Sequence, residues 1–513
     1  MELSIYTIRA KQDYIYKTNK VLEIVGASEN ISNAWNVLFQ KAEEAGLKVK
    51  RISELFCFEQ IRKSFAKEEV DMVELFCGGG NDTVLFRNKD CFRTANKAFS
   101  FCLLKEYPGM IPMAVSTEVS GNYREDYRRL MEESEKEKNR MIPGRDQFIL
   151  PFSMMDRDTF LPMTDMENNE RYPKERLCKR KAGIRVRNAE TDSEAIRLLD
   201  EMVTKKGEES LLAVIHADGN NMGSKIMDLL GSHTDYDYCV NSMRKFTCDT
   251  AEAFVNHGLS AVYRCQKALM EKYKNHKKYI DKNGNLKKSL FACRKIISDG
   301  DDITFICNAR FAMEYAKAYV NAVQTYQRDK KSDWSYSSCA GICIFHSHYS
   351  FAEAYRLAEK ACDDGAKAKV HIVGADGKNI PLEEGWVDFH YIHSGAGGDL
   401  QTIRRMQGTS ECMARPWRID GDRTEDPRAF EKLEKLAEIL RNYSVSRTEI
   451  KSLGIDWENS RELGYASIQR VCGHHPGLEN ALKTRLQWDD EQIMRAIYDL
   501  AEVIDLWFAE EDR

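Results

Sequence analysis

Short apolar runs alternate with amphipathic helical stretches along most of the chain, and the order in which they come is repeated. A β-like run reaches residue 8, and a second apolar run covers 21–25. Ser28 is placed to cap a helix whose apolar positions are Ile31, Trp35, Leu38 and Phe39. Two β-prone runs, 70–77 and 83–86, flank the turn Gly78-Gly79-Gly80-Asn81-Asp82 and predict a hairpin. A helical stretch at 92–104 and a strand at 111–116 complete a β-α-β-β-α-β order. That order returns from Leu211: a strand to Ala217, helices to about Tyr273, a hairpin of 290–297 with 303–307, a helix over 310–327, a strand over 337–345 and a helix over 350–369. From Pro427 the spacing is helical only, as in Phe430, Leu433, Leu436 and Leu440, then Ile493, Ile497, Leu500, Val503 and Ile504. The pattern predicts an α+β fold: two ferredoxin-like modules at 1–120 and 208–405, a charged and loop-rich region at 121–207 between them, and an all-α domain at 425–513.

Composition changes this picture little. The chain has 513 residues, 42% hydrophobic and 31% charged, enough for several domains that each bury a core. A net charge of −5 gives no global nucleic-acid footprint, so a site for such a partner has to be local. One local excess lies at 267–295, where ten Lys or Arg face Glu271 and Asp281; it reads as a solvated insertion or as a stretch that attracts nucleotide or RNA. The segment 122–145 reads as a solvated, charge-dense helix. The first residues lack the basic and apolar regions of a leader, and no apolar run approaches a membrane span, so no membrane partner is expected. The 15 cysteines are scattered without a Cys-x-x-Cys pair, which predicts free thiols in a reducing cytoplasm and no structural zinc.

The candidate chemistry sits at strand ends in the second module. Its first strand ends in Asp218-Gly219-Asn220-Asn221-Met222-Gly223, and its hairpin turns at Ser298-Asp299-Gly300-Asp301-Asp302. If those strands are neighbours, Asp218, Asp301 and Asp302 converge at one edge of a sheet. Clustered carboxylates repel one another unless a cation joins them, and hard oxygen ligands without His or Cys favour Mg²⁺ or Mn²⁺. Such a site suits two-metal phosphoryl or nucleotidyl transfer. Gly300 supplies positive φ in the turn, while Gly219 and Gly223 let backbone approach a phosphate. Asp-Gly is also an ordinary turn signal, and it is the occurrence of both stretches at strand ends of one module that favours a site. The first module carries Gly79-Gly80-Asn81-Asp82 at its hairpin and no Asp where the second has Asp218. It is expected to bind no catalytic metal and to hold a second nucleotide or act as scaffold. Ser394-Gly395-Ala396-Gly397-Gly398-Asp399, before Arg404 and Arg405, is a weak phosphate-loop signal. The pairs His346/His348 and His474/His475 lack further ligands nearby in sequence and read as structural or exposed.

These stretches resemble the large polymerase subunit of type III CRISPR effector complexes, and more closely the standalone proteins that share its two palm domains. The resemblance rests on residues 13–20 with Gly26-Ala27-Ser28, Gly79-Gly80-Asn81, Asp218-Gly219-Asn220-Asn221-Met222-Gly223, Gly300-Asp301-Asp302, Gly341-Ile342-Cys343-Ile344, and Leu357-Ala358-Glu359 with Ala366-Lys367. It implies ATP bound between two palms and joined 3′–5′ into cyclic oligoadenylate in antiviral defence, with RNA or other defence proteins as partners. Carried over by position, Asp218, Asp301 and Asp302 are the metal ligands and Lys367 contacts the triphosphate; without the resemblance Lys367 reads equally well as an exposed helix lysine. Gly219, Asn220, Gly223, Gly300, Gly79, Gly80, Asn81 and Ser28 fall at nucleotide-contacting positions. The usual Gly-Gly-Asp-Asp begins with Asp299 here, and the usual Asp-Gly-Asp has Asn220 as its last residue. No His-Asp nuclease motif and no four-cysteine zinc element stand between the palms, so nuclease activity is not expected. The alternative to the enzyme is a nucleotide- or RNA-binding sensor that keeps the palm fold without turnover.

Overall fold

The computed structural model describes residues 1–507, apart from 53, 142–151, 190–198, 206, 208, 374–378, 394–397 and 420–425. Contacts divide it into two compact units, each discontinuous in sequence. The first holds Met1–Leu198, Asn221–Val255 and Ile296–Asp302, and the second holds Leu199–Asn220, Asn256–Lys295 and Ile303–Arg513.

In the first unit, β1 (Glu2–Arg9) is buried along nearly its whole length, as a central strand covered on both faces must be. Its neighbours are β4 (Asn81–Phe86) and β5 (Ile111–Glu118), and β3 (Met72–Gly78) and β2 (Val49–Arg51) extend the sheet to the order β2-β3-β4-β1-β5. Without the parallel edge strand β2, this is the order of a ferredoxin-like module. One face packs Leu3, Ile5, Val73 and Leu85 against Tyr123 and Leu130 of the helix Tyr123–Arg140 and against Tyr236 and Val240 of the helix Tyr236–Ala251. The charge-dense helix is therefore only half solvated. Tyr123, Asp126, Leu130 and Ser134 form its buried stripe, while its outer face carries Arg128–Glu125 and Lys136–Glu133 pairs at 2.6 Å. A small hairpin, β6 (Asp165–Glu167) with β7 (Glu170–Tyr172), precedes the helix Lys174–Ala189.

One helix start differs from the sequence reading. The helix runs over Val21–Ser32 with Lys20 as its N-cap, so Ser28 lies inside it and caps nothing. The physical reason is packing against Lys174–Ala189. A methyl on Gly26 would overlap the Lys179 carbonyl oxygen, and one on Gly183 would overlap that of Leu22, so the two glycines let the backbones touch. Glu23 takes both arms of Arg176 at 2.9 and 3.0 Å in the same buried seam.

The second unit holds β8 (Leu211–Gly219), all of β10 (Asp302–Asn308) but its first residue, and β11 (Ser338–His346), with a small ribbon of β12 (His371–Val373) and β13 (Asn379–Pro381), and the strands β14 (Gly385–Tyr391) and β15 (Trp417–Ile419); β9 (Cys293–Asp299) begins in it and ends in the first unit. The sheet order is β15-β14-β11-β8-β10-β9, whose last four strands repeat the ferredoxin-like order. The helix Phe351–Lys360 lies close over β11, because a side chain on Gly341 would meet the Ala358 carbonyl. Two turns of other geometry, Ala361–Ala366 and Lys367–Lys369, follow that helix and bring Lys367 back to the sheet. The helices Phe430–Asn442, Arg447–Asn459, Arg461–His474, Leu478–Leu486 and Asp490–Trp507 form the expected all-α region. It is fastened to the strand β15 and the turn before it by buried polar contacts: Trp417 donates to Asp499 at 3.0 Å, and the Arg415 amide donates to the same carboxylate at 2.7 Å. All 15 cysteines are free. His346 and His348 are exposed, with their rings tilted and 5.4 Å apart, and His475 meets Glu449 at 3.3 Å. No described helix is long and apolar enough to cross a membrane.

Candidate active site

The second unit contributes Asp218 and its surroundings. β8 lies between β10 and β11, and its ladder with β10 pairs Ala217 with Ile303, the chain neighbours of Asp218 and Asp302. On the other side Asp218 stands opposite Cys339 of β11. One Asp218 oxygen accepts from the Gly219 amide at 2.9 Å, and the other is paired with the Lys367 ammonium, which also lies 3.7 Å from Asp363. Burial disfavours the charge on Lys367, yet the Asp218 carboxylate more than offsets this and raises the lysine above its usual value. Asn220 faces inward instead of toward a ligand. Its side-chain amide donates to the Ser337 hydroxyl at 3.0 Å and to the Glu384 carbonyl at 2.8 Å. His216, two residues before Asp218, is buried; burial lowers its pKa, and its ring meets Thr304 at 3.2 Å.

The hairpin tip belongs to the first unit, where it meets the tip of the other hairpin. Gly79 and Gly80 turn the β3–β4 hairpin with φ of 58° and 69°, as two-residue turns require. Gly300 turns the other with φ of 66°, while Asp299 keeps an ordinary φ, so a side chain fits there without strain. A carbon added to Gly300 would lie 3.2 Å from the Gly79 nitrogen. Beside this approach, the Lys11 ammonium bonds the Asp299 carboxylate at 2.9 Å. Asn81 donates to the Gly79 carbonyl at 3.2 Å and closes its own turn. Asp82 is wholly buried, and neither carboxyl oxygen meets a well-placed donor; burial first, and the nearby Glu74 carboxylate second, push its pKa well up.

Thus the structure places Asp218 and Lys367 in contact, and Gly79, Gly80 and Gly300 in one close approach. Gly223 follows the N-cap Asn221 with open space around it. Ser28 stands apart, in the helix seam, and the loop 394–397 lies outside the described residues. Among the described residues no three His, Cys, Asp or Glu side chains are gathered closely enough to hold an ion as they stand. The donor chemistry nonetheless fits a hard cation: Asp218 offers a carboxylate, and an ammonium already sits against it in the role of counter-ion. Sequence reasoning missed Lys11 and Asp363. Asp363 lies four residues before Lys367, a signal available in the helical spacing; nothing in the sequence connects Lys11 with Asp299 across 288 residues.

Residues 211–372 match the profile of the Cas10/Cmr2 second palm domain. No curated protein matches the sequence. Among solved structures, the chain is similar to a chain of a type III-B Cmr-β complex in its apo state, at 10% identity, over 100% of this chain and 82% of that one, with a TM-score of 0.50. It is also similar to a chain of the Csm1–Csm4 cassette in complex with cA4, at 12% identity, over 98% and 69% of the two chains, with a TM-score of 0.49. By fold, and by sequence over 211–372, the chain resembles the large palm-containing subunits of type III CRISPR effectors.

Proposed function

We propose that the chain is a metal-dependent nucleotidyltransferase that joins ATP through 3′–5′ linkages into oligoadenylate, cyclic in the reading its resemblance supports, with release of pyrophosphate and a signalling role in antiviral defence. The observation that carries the reading is the ladder of the matched palm: Ala217 and Ile303 pair on adjacent strands, and Asp218 and Asp302 are the next residue of each. Mg²⁺ or Mn²⁺ held by Asp218, Asp301 and Asp302 would lower the pKa of an attacking 3′-hydroxyl and neutralise the triphosphate. Lys367 holds the Asp218 side chain in place, and its flexible stem would let the ammonium turn to a phosphate. Gly223, with open space around it, and Gly300 in its turn would leave backbone amides accessible to the phosphates, whereas the Gly219 amide is already taken by Asp218. In the first palm, Gly79, Gly80 and Asn81 would border a second nucleotide, whereas Asp82, buried and pushed toward its neutral form, is unsuited to hold a metal.

A sensor that binds nucleotide or RNA without turnover is the second reading, and the ion pair between Lys367 and Asp218 favours it, since that carboxylate is satisfied without a metal. The two are separated by incubating the chain with each labelled NTP and Mg²⁺ or Mn²⁺, with and without RNA, beside an Asp301→Ala/Asp302→Ala variant. Pyrophosphate and a 3′–5′ adenylate product, both lost in the variant, are expected. Nucleotide binding with no turnover of any NTP would replace the enzyme with the sensor.

A further inference from the structure

We propose that Lys11 and Asp299 form a clamp that positions the hairpin tip Asp299-Gly300-Asp301-Asp302 for the reaction proposed above, so that Asp299 is a positioning residue and not a tolerated loss of the usual glycine. The clamp rests on that reading for its role in turnover, and on geometry alone for its existence.

An ion pair and two close glycine approaches within the first unit build it. Lys11 Nζ and Asp299 Oδ2 are 2.9 Å apart, and both side chains are largely covered, at 24% and 33% exposure. Gly80 lies directly beneath them, with no room for a side chain: a methyl there would overlap the Lys11 ammonium and the Asp299 carboxylate. Beside it, Gly300 approaches the Gly79 backbone so closely that an added carbon would sit 3.2 Å from its nitrogen. A salt bridge thus lies across two glycine turns that are already in contact, and Lys11, at the start of the short helix Lys11–Ile15, is anchored from the strand β1.

Charge supplies the second half of the argument. With Asp299, Asp301 and Asp302, the tip carries one carboxylate more than a Gly-Gly-Asp-Asp turn. Lys11 takes up that extra charge. It also fixes the hairpin's direction, because Asp299 lies two residues before Asp301 on the strand that leads into the turn. Free rotation of the tip would move both candidate ligands together, and a misplacement of about 1 Å costs catalysis about a hundredfold in well-studied sites.

The test uses the full-length chain and two readouts. Hydrogen exchange of peptides covering 76–84 and 296–303 is compared in wild type, Lys11→Ala, Asp299→Gly and the exchanged pair Lys11→Asp/Asp299→Lys. A partly exposed ion pair of this kind corresponds to exchange about two- to fivefold faster in each single variant, and the exchanged pair should return protection to within about twofold of wild type. Single variants indistinguishable from wild type, or an exchanged pair as fast as Asp299→Gly, would overturn the clamp. The second readout is turnover of ATP. Asp299→Gly restores the usual motif, so a residue without a role predicts equal or higher kcat; the clamp predicts lower kcat with KM for ATP unchanged. A kcat at or above wild type would overturn the positioning role. If wild type turns over no NTP, the nucleotidyltransferase reading and the positioning role fall together, while the exchange readout still decides whether the clamp exists.

Discussion

Asn220→Asp restores the acid that the motif usually carries at this position, and the structure predicts that the chain is harmed by it. Asn220 is 1% exposed, and its amide nitrogen donates to the Ser337 hydroxyl at 3.0 Å and to the Glu384 carbonyl at 2.8 Å. An ionised carboxylate would place an acceptor against an acceptor at Glu384, in a buried site. The variant's cheaper route is to stay protonated and donate once, which forfeits one hydrogen bond, about 1 kcal/mol, and requires holding a proton about three units above the ordinary Asp value of about 3.9 at pH 7. At about 1.4 kcal/mol per unit, that adds about 4 kcal/mol at pH 7 and about 1.5 kcal/mol at pH 5. The sign follows from proton counts: between those values the unfolded chain has released the proton that the folded one keeps, so stability falls as pH rises. Total losses of about 5 kcal/mol at pH 7 and about 2.5 kcal/mol at pH 5 are expected. Urea unfolding followed by tryptophan fluorescence reads them, since six of the seven tryptophans lie in the second unit. Asn220→Ala is the control, destabilised but flat in pH. A variant as stable as wild type at pH 7, or one whose loss does not change with pH, would refute the reasoning.

Gly26→Ala and Gly183→Ala each put a carbon onto the backbone of the facing helix, and each should cost about 3 kcal/mol in urea unfolding of the first unit; an unchanged midpoint would mean that the helices can separate freely. Lys367→Met removes the ammonium that competes for Asp218, so Mn²⁺ binding without nucleotide, followed by paramagnetic resonance, should tighten, while ATP turnover falls about tenfold or more; weaker Mn²⁺ binding would show that the lysine supports the cation. Asp82 has a raised folded pKa, so the unfolded chain releases this proton first and stability declines as pH climbs above about 4. Asp82→Asn should flatten that decline when urea midpoints at pH 5 and pH 8 are compared.

Both β-α-β-β-α-β orders were legible because their signals are local: apolar runs of strand length, and glycines at the turns, whose positive φ at Gly79, Gly80 and Gly300 is what the sequence pattern anticipates. Less local features were not. The run 21–25 fits strand or helix, and what decides it is Gly183, on a helix that begins 150 residues later. Strands β14 and β15 widen the second sheet beyond the repeated order; the alternation of Val387, Phe389 and Tyr391 with Asp388 and His390 was a signal for the first, while the three residues 417–419 are too few to stand apart from a loop. The two departures from the usual motif were visible as letters, but their meaning needed partners: Ser337 and Glu384 for Asn220, Lys11 for Asp299.

The two palms show how one backbone plan can carry opposite electrostatics. In the first, the ladder pairs Tyr6 of β1 with Asp82 of β4; in the second, it pairs Ala217 with Ile303, one residue short of Asp218 and Asp302. Tyr6 therefore stands in the first palm where Asp218 stands in the second. Its ring packs 6.4, 6.2 and 6.0 Å from Phe86, Phe92 and Phe99 and is wholly buried, so the space a hydrated cation needs is filled with aromatic carbon. Asp82 is left in that apolar layer, where burial pushes its pKa up, whereas Asp218 keeps solvent access and an ammonium partner. The difference between the modules lies less in Asn81 at the turn than in Tyr6 on the strand beneath it. Asn81→Asp alone, which completes a Gly-Gly-Asp-Asp sequence in the first palm, should therefore add no Mn²⁺ site to the one proposed for the second, because the carboxyl beside it is wholly buried among aromatic rings and the neighbouring strand offers a phenol in place of a third acid.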